Sequence, residues 1–317
     1  MTTTRSGKSL IEVLLVVAIL AVLIGLVLGA VQKVRGEAAR LQSVYNLRQI
    51  NQTLHIYLAQ NEEKVKKLPR NESVRVIPNR PMIFDADSIF SKLSPLLVTP
   101  APMPTHAGEY TPEEVQAIFY PKISLYISPA DPSINYPIRY TNVGKISYAA
   151  NMSAFNNVLT FPISIPDGTS STISFGETYW HSELQVTEVG AAPGVTITLS
   201  CELDWVTHVG PDTNGNSTPR RATFADRGTD DVHPVPDGQG NSVGTRSAYF
   251  TLPAAKKPFM YRPPVTRCFC DRLLTPHVAG LPVAMFDGSV RTLNPNTDEK
   301  VFWGLVTPAG GEVLGDY

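Results

Sequence analysis

The sequence predicts an α+β protein in which one long N-terminal helix precedes a large, antiparallel β-rich C-terminal domain. Three observations predict this. From Leu10 to Val31 the chain reads LIEVLLVVAILAVLIGLVLGAV, 22 residues with a single charge at Glu12. No Pro occurs between Met1 and Lys67, so a helix can run on beyond the apolar segment. After Pro69 the helical pattern ends, and short runs rich in β-branched and aromatic residues alternate with Gly, Pro, Asn and Asp.

The apolar run comes first. About 20 apolar residues are needed to cross a hydrocarbon core of about 30 Å, and 22 are present here. A cleaved secretory signal would have a shorter apolar region, about 7–15 residues, ending in a small-residue cleavage site. No such site is evident, and helical spacing continues past the run. Val34, Ala38, Leu41, Tyr45, the stem of Arg48, Leu54 and Leu58 recur every three or four residues or at multiples of that spacing, which marks them as the face that packs on a globular domain. Lys33, Arg35, Glu37, Arg40, Gln49 and Gln52 supply the polar face. The expected helix has about 50 residues and a length of about 75 Å. Glu12 stands out, because a carboxylate in the apolar part of a spanning helix costs about 2.5–3.5 kcal/mol on insertion scales unless it has a partner or stays wet. Gly25 and Gly29 form a small-xxx-small pair of the kind that lets helices approach closely.

The remaining sequence favours turns and short strands, since the chain holds 27 Pro and 22 Gly. Leu93 to Pro112 contains five of those prolines and reads as an extended loop. Strands are expected over Ile123–Ile127, Ile138–Tyr140, Lys145–Tyr148, Val158–Ile165, Thr172–Phe175, Val195–Leu199 and Ser247–Leu252, while Thr178–Glu188 reads as strand or loop. Leu281 to Leu293 reads as a hairpin turning at Asp287-Gly288, a dipeptide suited to a two-residue type I′ turn. A short helix follows to Val306, capped by Asn296 or Thr297, with Val301, Phe302 and Leu305 facing the core.

Several functions find little support. The net charge is −1 and the basic residues are scattered, so there is no nucleic-acid footprint. Cys201, Cys268 and Cys270 make no metal framework, and at most one of the latter two would pair with Cys201. Asp226, Asp230, Asp231 and Asp237 lie in a polar loop where oxygen ligands for calcium could collect, but the spacing of an EF-hand is missing. No cofactor is expected. One G-x-S-x-G match, Gly240 to Gly244, centres on Ser242. A nucleophile elbow needs a strand before that serine and a helix after it, and a polar loop precedes this one. No catalytic residue is therefore assigned.

Gly7-Lys8-Ser9-Leu10-Ile11-Glu12 resembles the type IV prepilin signature, in which a basic leader ends in Gly and a Glu is fifth in the mature chain. The resemblance implies cleavage by a membrane prepilin peptidase between Gly7 and Lys8. It also implies that Glu12 pairs with the N-terminal amine of a neighbouring subunit during assembly. This chain has Lys8 where the family usually has a Phe that becomes N-methylated. His277, nine residues and then Asp287-Gly288 resemble the C-terminal H-x9-DG element of the DUF1559 family of pilin-like proteins. Ala30 to Leu58, Ser128-Pro-Ala-Asp131-Pro132, Ser147-Tyr-Ala-Ala-Asn151, Asp167 to Glu177 and Ala309 to Asp316 are similar to other stretches of that family. Many members have Cys at the position of Ser128, so a disulfide there is excluded in this chain.

The resulting expectation divides the chain into a leader (1–7), a transmembrane assembly helix (8–31), its continuation (32–68) and an extracytoplasmic β-rich domain (69–317) containing the 277–293 hairpin. Charge alone leaves orientation open, because Arg5 and Lys8 precede the span while Lys33 and Arg35 follow it. The resemblance implies a cytoplasmic leader and a periplasmic or extracellular domain. It implies a pilin-like or pseudopilin-like structural subunit whose partners are the peptidase, the inner membrane and other such subunits. The alternative is a singly anchored protein that binds a glycan or another protein. Within the hairpin, His277 is expected to hydrogen-bond the Asp287 turn or a nearby carbonyl.

Overall fold

A computed structural model describes residues 10–60, 68, 88–98, 121–136, 144–155, 160–187, 196–204, 217–225, 234–236, 242–245, 259–267 and 272–311. Helix α1 runs unbroken over Leu10–Gln60, 51 residues and about 76 Å long. Its first half is fully exposed, and it is long and apolar enough to cross a membrane. The second half docks on the domain through Ser43, Asn46, Leu47, Ile50, Asn51, Thr53, Leu54 and Leu58.

The docked face differs from the expected one. Val34, Leu41 and Tyr45 are 67%, 59% and 52% exposed, and only Leu54 and Leu58 of the expected set are buried. The apolar spacing marked a real stripe, but one on the opposite side of the helix from the domain. Polar residues share the buried face with Leu47 and Ile50 because the core offers them hydrogen-bond partners, so hydrophobicity alone points to the wrong side.

The centre of the domain is a five-stranded sheet in the order β12-β11-β2-β1-β6. Its strands are β1 (Tyr148–Asn151), β2 (Ile173–Glu177), β6 (Thr223–Phe224), β11 (Leu281–Met285) and β12 (Val290–Leu293). All pairings are antiparallel except that of the short edge strand β6 with β1. Helix α1 covers one face together with α2 (Ile89–Leu97). There Leu47, Ile50 and Leu54 meet Phe90, Tyr148, Phe175, Ala284 and Phe286. The other face packs Ala149, Val283 and Met285 against Phe302, Leu305 and Val306 of the C-terminal helix α4 (Glu299–Val306); α3 is the single turn Met152–Phe155. Every residue of β1, β2 and β11 is buried because layers cover both faces. Beside the sheet lie β3 (His181–Thr187), β4 (Thr196–Asp204) and β5 (Ser217–Arg221) in order, and the pairs β7 (Pro234–Pro236) with β8 (Ser242–Thr245) and β9 (Met260–Tyr261) with β10 (Leu274–Thr275).

Several local expectations need correction. Ile89–Leu97 is helical where a proline-rich loop was expected to begin at Leu93. Ser88 caps it by accepting from Ser91 N–H, and Pro95 sits late enough in the helix for the chain to leave soon after it. The expected strand at Ile123–Ile127 contains a 3₁₀ turn over Ser124–Tyr126. The second half of Val158–Ile165 is a turn, closed by Ser164 N–H to Thr160 O at 2.9 Å. The hairpin turn has three residues rather than two. Gly288 N–H reaches Met285 O, Met285 N–H reaches Ser289 O, and only Gly288 has positive φ, at 94°. Asp287 keeps ordinary φ, which gives a type I turn closed by a glycine bulge. The last helix is capped by Asp298, not Asn296 or Thr297, through Lys300 N–H. The expected strands at Ile138–Tyr140 and Ser247–Leu252 lie outside the described residues.

The reassigned helix face gives a direct test. Leu54→Ala should cost about 2–5 kcal/mol of stability, as buried Leu truncations do, whereas Leu41→Ala should change it by less than about 0.5 kcal/mol. Chemical denaturation of the two variants measures both.

Candidate functional site

The feature with the most chemistry is a buried polar cluster where α1 meets the sheet. Glu177, the last residue of β2, is completely buried. Leaving a carboxylate there without partners would be prohibitive, so the chain brings donors to it. Ser43 of α1 and Ser128 each donate a hydroxyl to Oε1 at 2.7 Å. His277 places Nε2 3.1 Å from Oε1 and 3.0 Å from Oε2. The bond is directed at Oε1, since Oε2 lacks hydrogen-bond geometry.

A relay of hydrogen bonds extends the cluster along α1. Asn46 Nδ2 donates to the Tyr148 hydroxyl at 3.2 Å and to the Ile127 carbonyl at 3.0 Å. The Tyr148 hydroxyl lies 3.2 Å from Ser43 Oγ. As Ser43 spends its proton on Glu177, Tyr148 is the donor in that pair. Burial first, and then the neighbouring Glu177 charge, push the Tyr148 phenol well above its ordinary value, so it stays protonated and can serve this way.

A four-residue turn over 277–280 positions His277. Its N–H donates to Thr275 Oγ1, Thr275 Oγ1 donates to Gly280 O, and Gly280 N–H returns to His277 O. Gly280 has φ of 119°, and a Cβ there would lie 2.1 Å from Leu293 O. The turn therefore requires glycine.

Asp131 holds a second buried carboxylate nearby. Oδ1 accepts from Ser133 N–H and Oγ, and Oδ2 accepts from Ser147 Oγ and Trp180 N–H, at 2.6–2.8 Å. Burial pushes its carboxyl above the ordinary value although these four donors pull the other way. Farther along α1, Asn51 Nδ2 donates to Met285 O, and Ser174 Oγ lies within reach of Asn51 Oδ1 and Ala284 O. Asn151 donates to Ile173 O and Val306 O, joining β1 to the end of α4.

Four of the stretches singled out earlier thus meet at or beside one carboxylate: Ser128 and His277 bond Glu177 itself, and Asp131 and Ser147 bond each other beside Ser128. Asn151, from the same stretch as Ser147, instead serves Ile173 and Val306. His277 bonds neither the Asp287 turn nor a carbonyl, which corrects the expectation for it; a buried carboxylate was the stronger acceptor. Asp287 instead accepts from Ser289 N–H and Oγ, and its own N–H reaches Thr169 O. No hydrogen bond joins His277 to Asp287. Gly288 supplies the positive φ of the turn. Asp167 clamps the start of the tail by accepting from Gly310 and Gly311 N–H.

Glu177, Ser43, Asn46 and Tyr148 were missed as site residues. A glutamate closing the run Ile-Ser-Phe-Gly-Glu was the available signal, because a charge at the end of a buried strand needs a partner. Glu12 lies in the first turn of α1 and is exposed. Gly7, Lys8, the aspartates of the calcium candidate, Cys268 and Cys270 lie outside the described residues. Ser242 opens strand β8 and is not at a strand-to-helix turn.

Serine, histidine and acid meet here, but not as a nucleophilic triad. In a triad the imidazole accepts the serine proton. Here both hydroxyls and the imidazole point at the carboxylate, and Ser43, Ser128 and Glu177 are no more than 1% exposed. The arrangement is a clasp between segments. No family model matches the sequence, and no curated protein or solved structure matches it either.

Two outcomes follow. Gly280→Ala should cost more than about 2 kcal/mol, since positive φ and a backbone clash add; thermal melting reads this. The folded state holds the Asp131 proton more tightly than the unfolded chain does, so this group adds stability below the unfolded value, about 4, and loses it as pH rises through the folded value. Asp131→Asn removes that titration. Its stability deficit relative to the parent should therefore shrink from pH 4 to pH 7 in denaturation series.

Proposed function

We propose that this chain is a pilin-like or pseudopilin-like structural subunit, anchored by α1 and assembling with copies of itself or similar subunits. The observation carrying this reading is the two-sided character of α1. One side of its second half docks on the domain, while Val34, Ala38, Leu41, Tyr45 and Ile56 form an uncovered apolar stripe on the other. Positions 34, 38, 41 and 45 fall at i, i+4, i+7 and i+11, one line along a helix. That line continues the fully exposed apolar segment at Leu10–Val31, so lipid can cover the first half and a neighbouring helix the second.

Glu12 fits the same reading. A carboxylate at the start of a spanning segment is stabilised by a positive group, and an N-terminal amine made by cleavage after Gly7 would be one. The clasp described above fixes α1 to the domain, so that an assembled helix would carry its domain in a set orientation.

Mass spectrometry of the mature N-terminus and cross-linking in membranes test the proposal. The chain should begin at Lys8, and Glu12→Ala should leave that cleavage intact while reducing cross-linked oligomers at least about tenfold, the loss of one charge pair in low dielectric. Tyr45→Lys should weaken the oligomers without lowering the melting temperature. A mature chain beginning beyond Ala30, or oligomers indifferent to Glu12 and Tyr45, would sink the reading.

A further inference from the structure

We propose that the Glu177–His277 pair is a completion clasp: it lets the second half of α1 dock firmly only when the C-terminal hairpin region is in place. The inference rests on the reading of α1 as the assembly helix and adds a control over when that helix is presented.

The argument starts from chain order. Helix α1 is made first, yet the polar groups on its docking face find their partners late. Glu177 comes 134 positions after Ser43, and His277 a further 100 positions after Glu177. Asn51 bonds Met285 O, 234 positions away. Before those segments arrive, docking would bury the Ser43 hydroxyl and the Asn51 amide with incomplete partners, which opposes docking. Glu177 alone does not solve this. With Ser43 and Ser128 but no His277, the site would bury a carboxylate held by only two hydroxyls. The imidazole adds the third donor, and its turn is held by Thr275 and by Gly280, which approaches the backbone of β12 at Leu293. The dependence is uneven: the hairpin is also held by β2 and by α4 on the far face of the sheet, whereas the second half of α1 docks by this one face. A chain lacking its C-terminal part would leave α1 loosely held, and the apolar stripe at Val34–Tyr45 would not be presented in a fixed direction.

The test is hydrogen exchange on the full-length monomer in detergent micelles, followed by peptide over 43–58 of α1 and over 281–293 of the hairpin. In the parent both segments should exchange at similar slow rates. His277→Ala should accelerate 43–58 by about 100-fold, as loss of one partner of a buried pair does, and accelerate 281–293 much less. His277→Gln, which restores a donor, should recover most of the protection. Ser43→Ala is the gentler variant should His277→Ala fail to fold, and it should accelerate 43–58 by about tenfold. Leu305→Ala weakens the opposite face of the sheet without touching Glu177 and should raise both segments together. Unchanged protection of 43–58 in His277→Ala or Ser43→Ala overturns the clasp, as does acceleration of both segments in parallel. Because the monomer is measured, absence of oligomers in membranes would remove the assembly reading and leave the exchange result standing.

Discussion

The buried carboxylate of Glu177 is the constraint around which the rest of this structure is arranged. A strand end sealed between two layers cannot hold a charge unless donors are supplied, and here they come from α1, from the Ser128 loop and from the turn before β11. Each donor belongs to a segment that must be in register for the bond to form. Ser43 sets the rotation of α1, and with it which side of that helix meets the sheet. His277 sets the approach of the hairpin. Apolar packing of Leu47, Ile50 and Leu54 supplies most of the driving force for docking, but greasy surfaces tolerate sliding and rotation. The polar bonds remove that freedom.

This division of labour explains the unusual pattern of α1. A helix whose docked face mixes Ser43, Asn46 and Asn51 with aliphatic residues has a modest hydrophobic contrast there, and its more continuous apolar line lies outside. In an isolated soluble protein, such a line would be an aggregation hazard. Attached to a lipid-length apolar segment, it is, on the proposed assembly reading, the extension of a surface covered first by lipid and then by protein. On that reading, the two opposite faces of one helix serve two attachments, one within the chain and one beyond it.

The carboxylates of the domain follow a common logic. Glu177 and Asp131 are both buried and both surrounded by hydroxyl and N–H donors, most of them from other segments, while half-buried Asp167 and exposed Asp287 organise backbone by gathering N–H groups. None depends on an Arg or Lys partner for its side-chain bonds. Hydroxyls and backbone N–H groups can be placed where a long cationic side chain would not fit, which suits a core packed between two layers. Repeated serines at Ser43, Ser128, Ser133 and Ser147 are the visible trace of this choice.

By itself, the sequence determined the α+β class, the unbroken helix and its lipid-length apolar half, the C-terminal hairpin and the short helix after it, because local periodicity, the placement of proline and the Asp-Gly turn act over a few residues. It also marked most of the segments that meet at the clasp, as motifs without a shared purpose. Only the tertiary structure decided which side of α1 docks, since a buried face rich in Ser and Asn is recognisable only once its partners are in place. It alone decided that His277 serves Glu177 rather than the Asp287 turn, because a hydrogen bond across 100 positions leaves no local pattern in the chain. The strands buried on both faces were likewise blurred, for a two-sided core erases the alternation that marks a strand with one wet face.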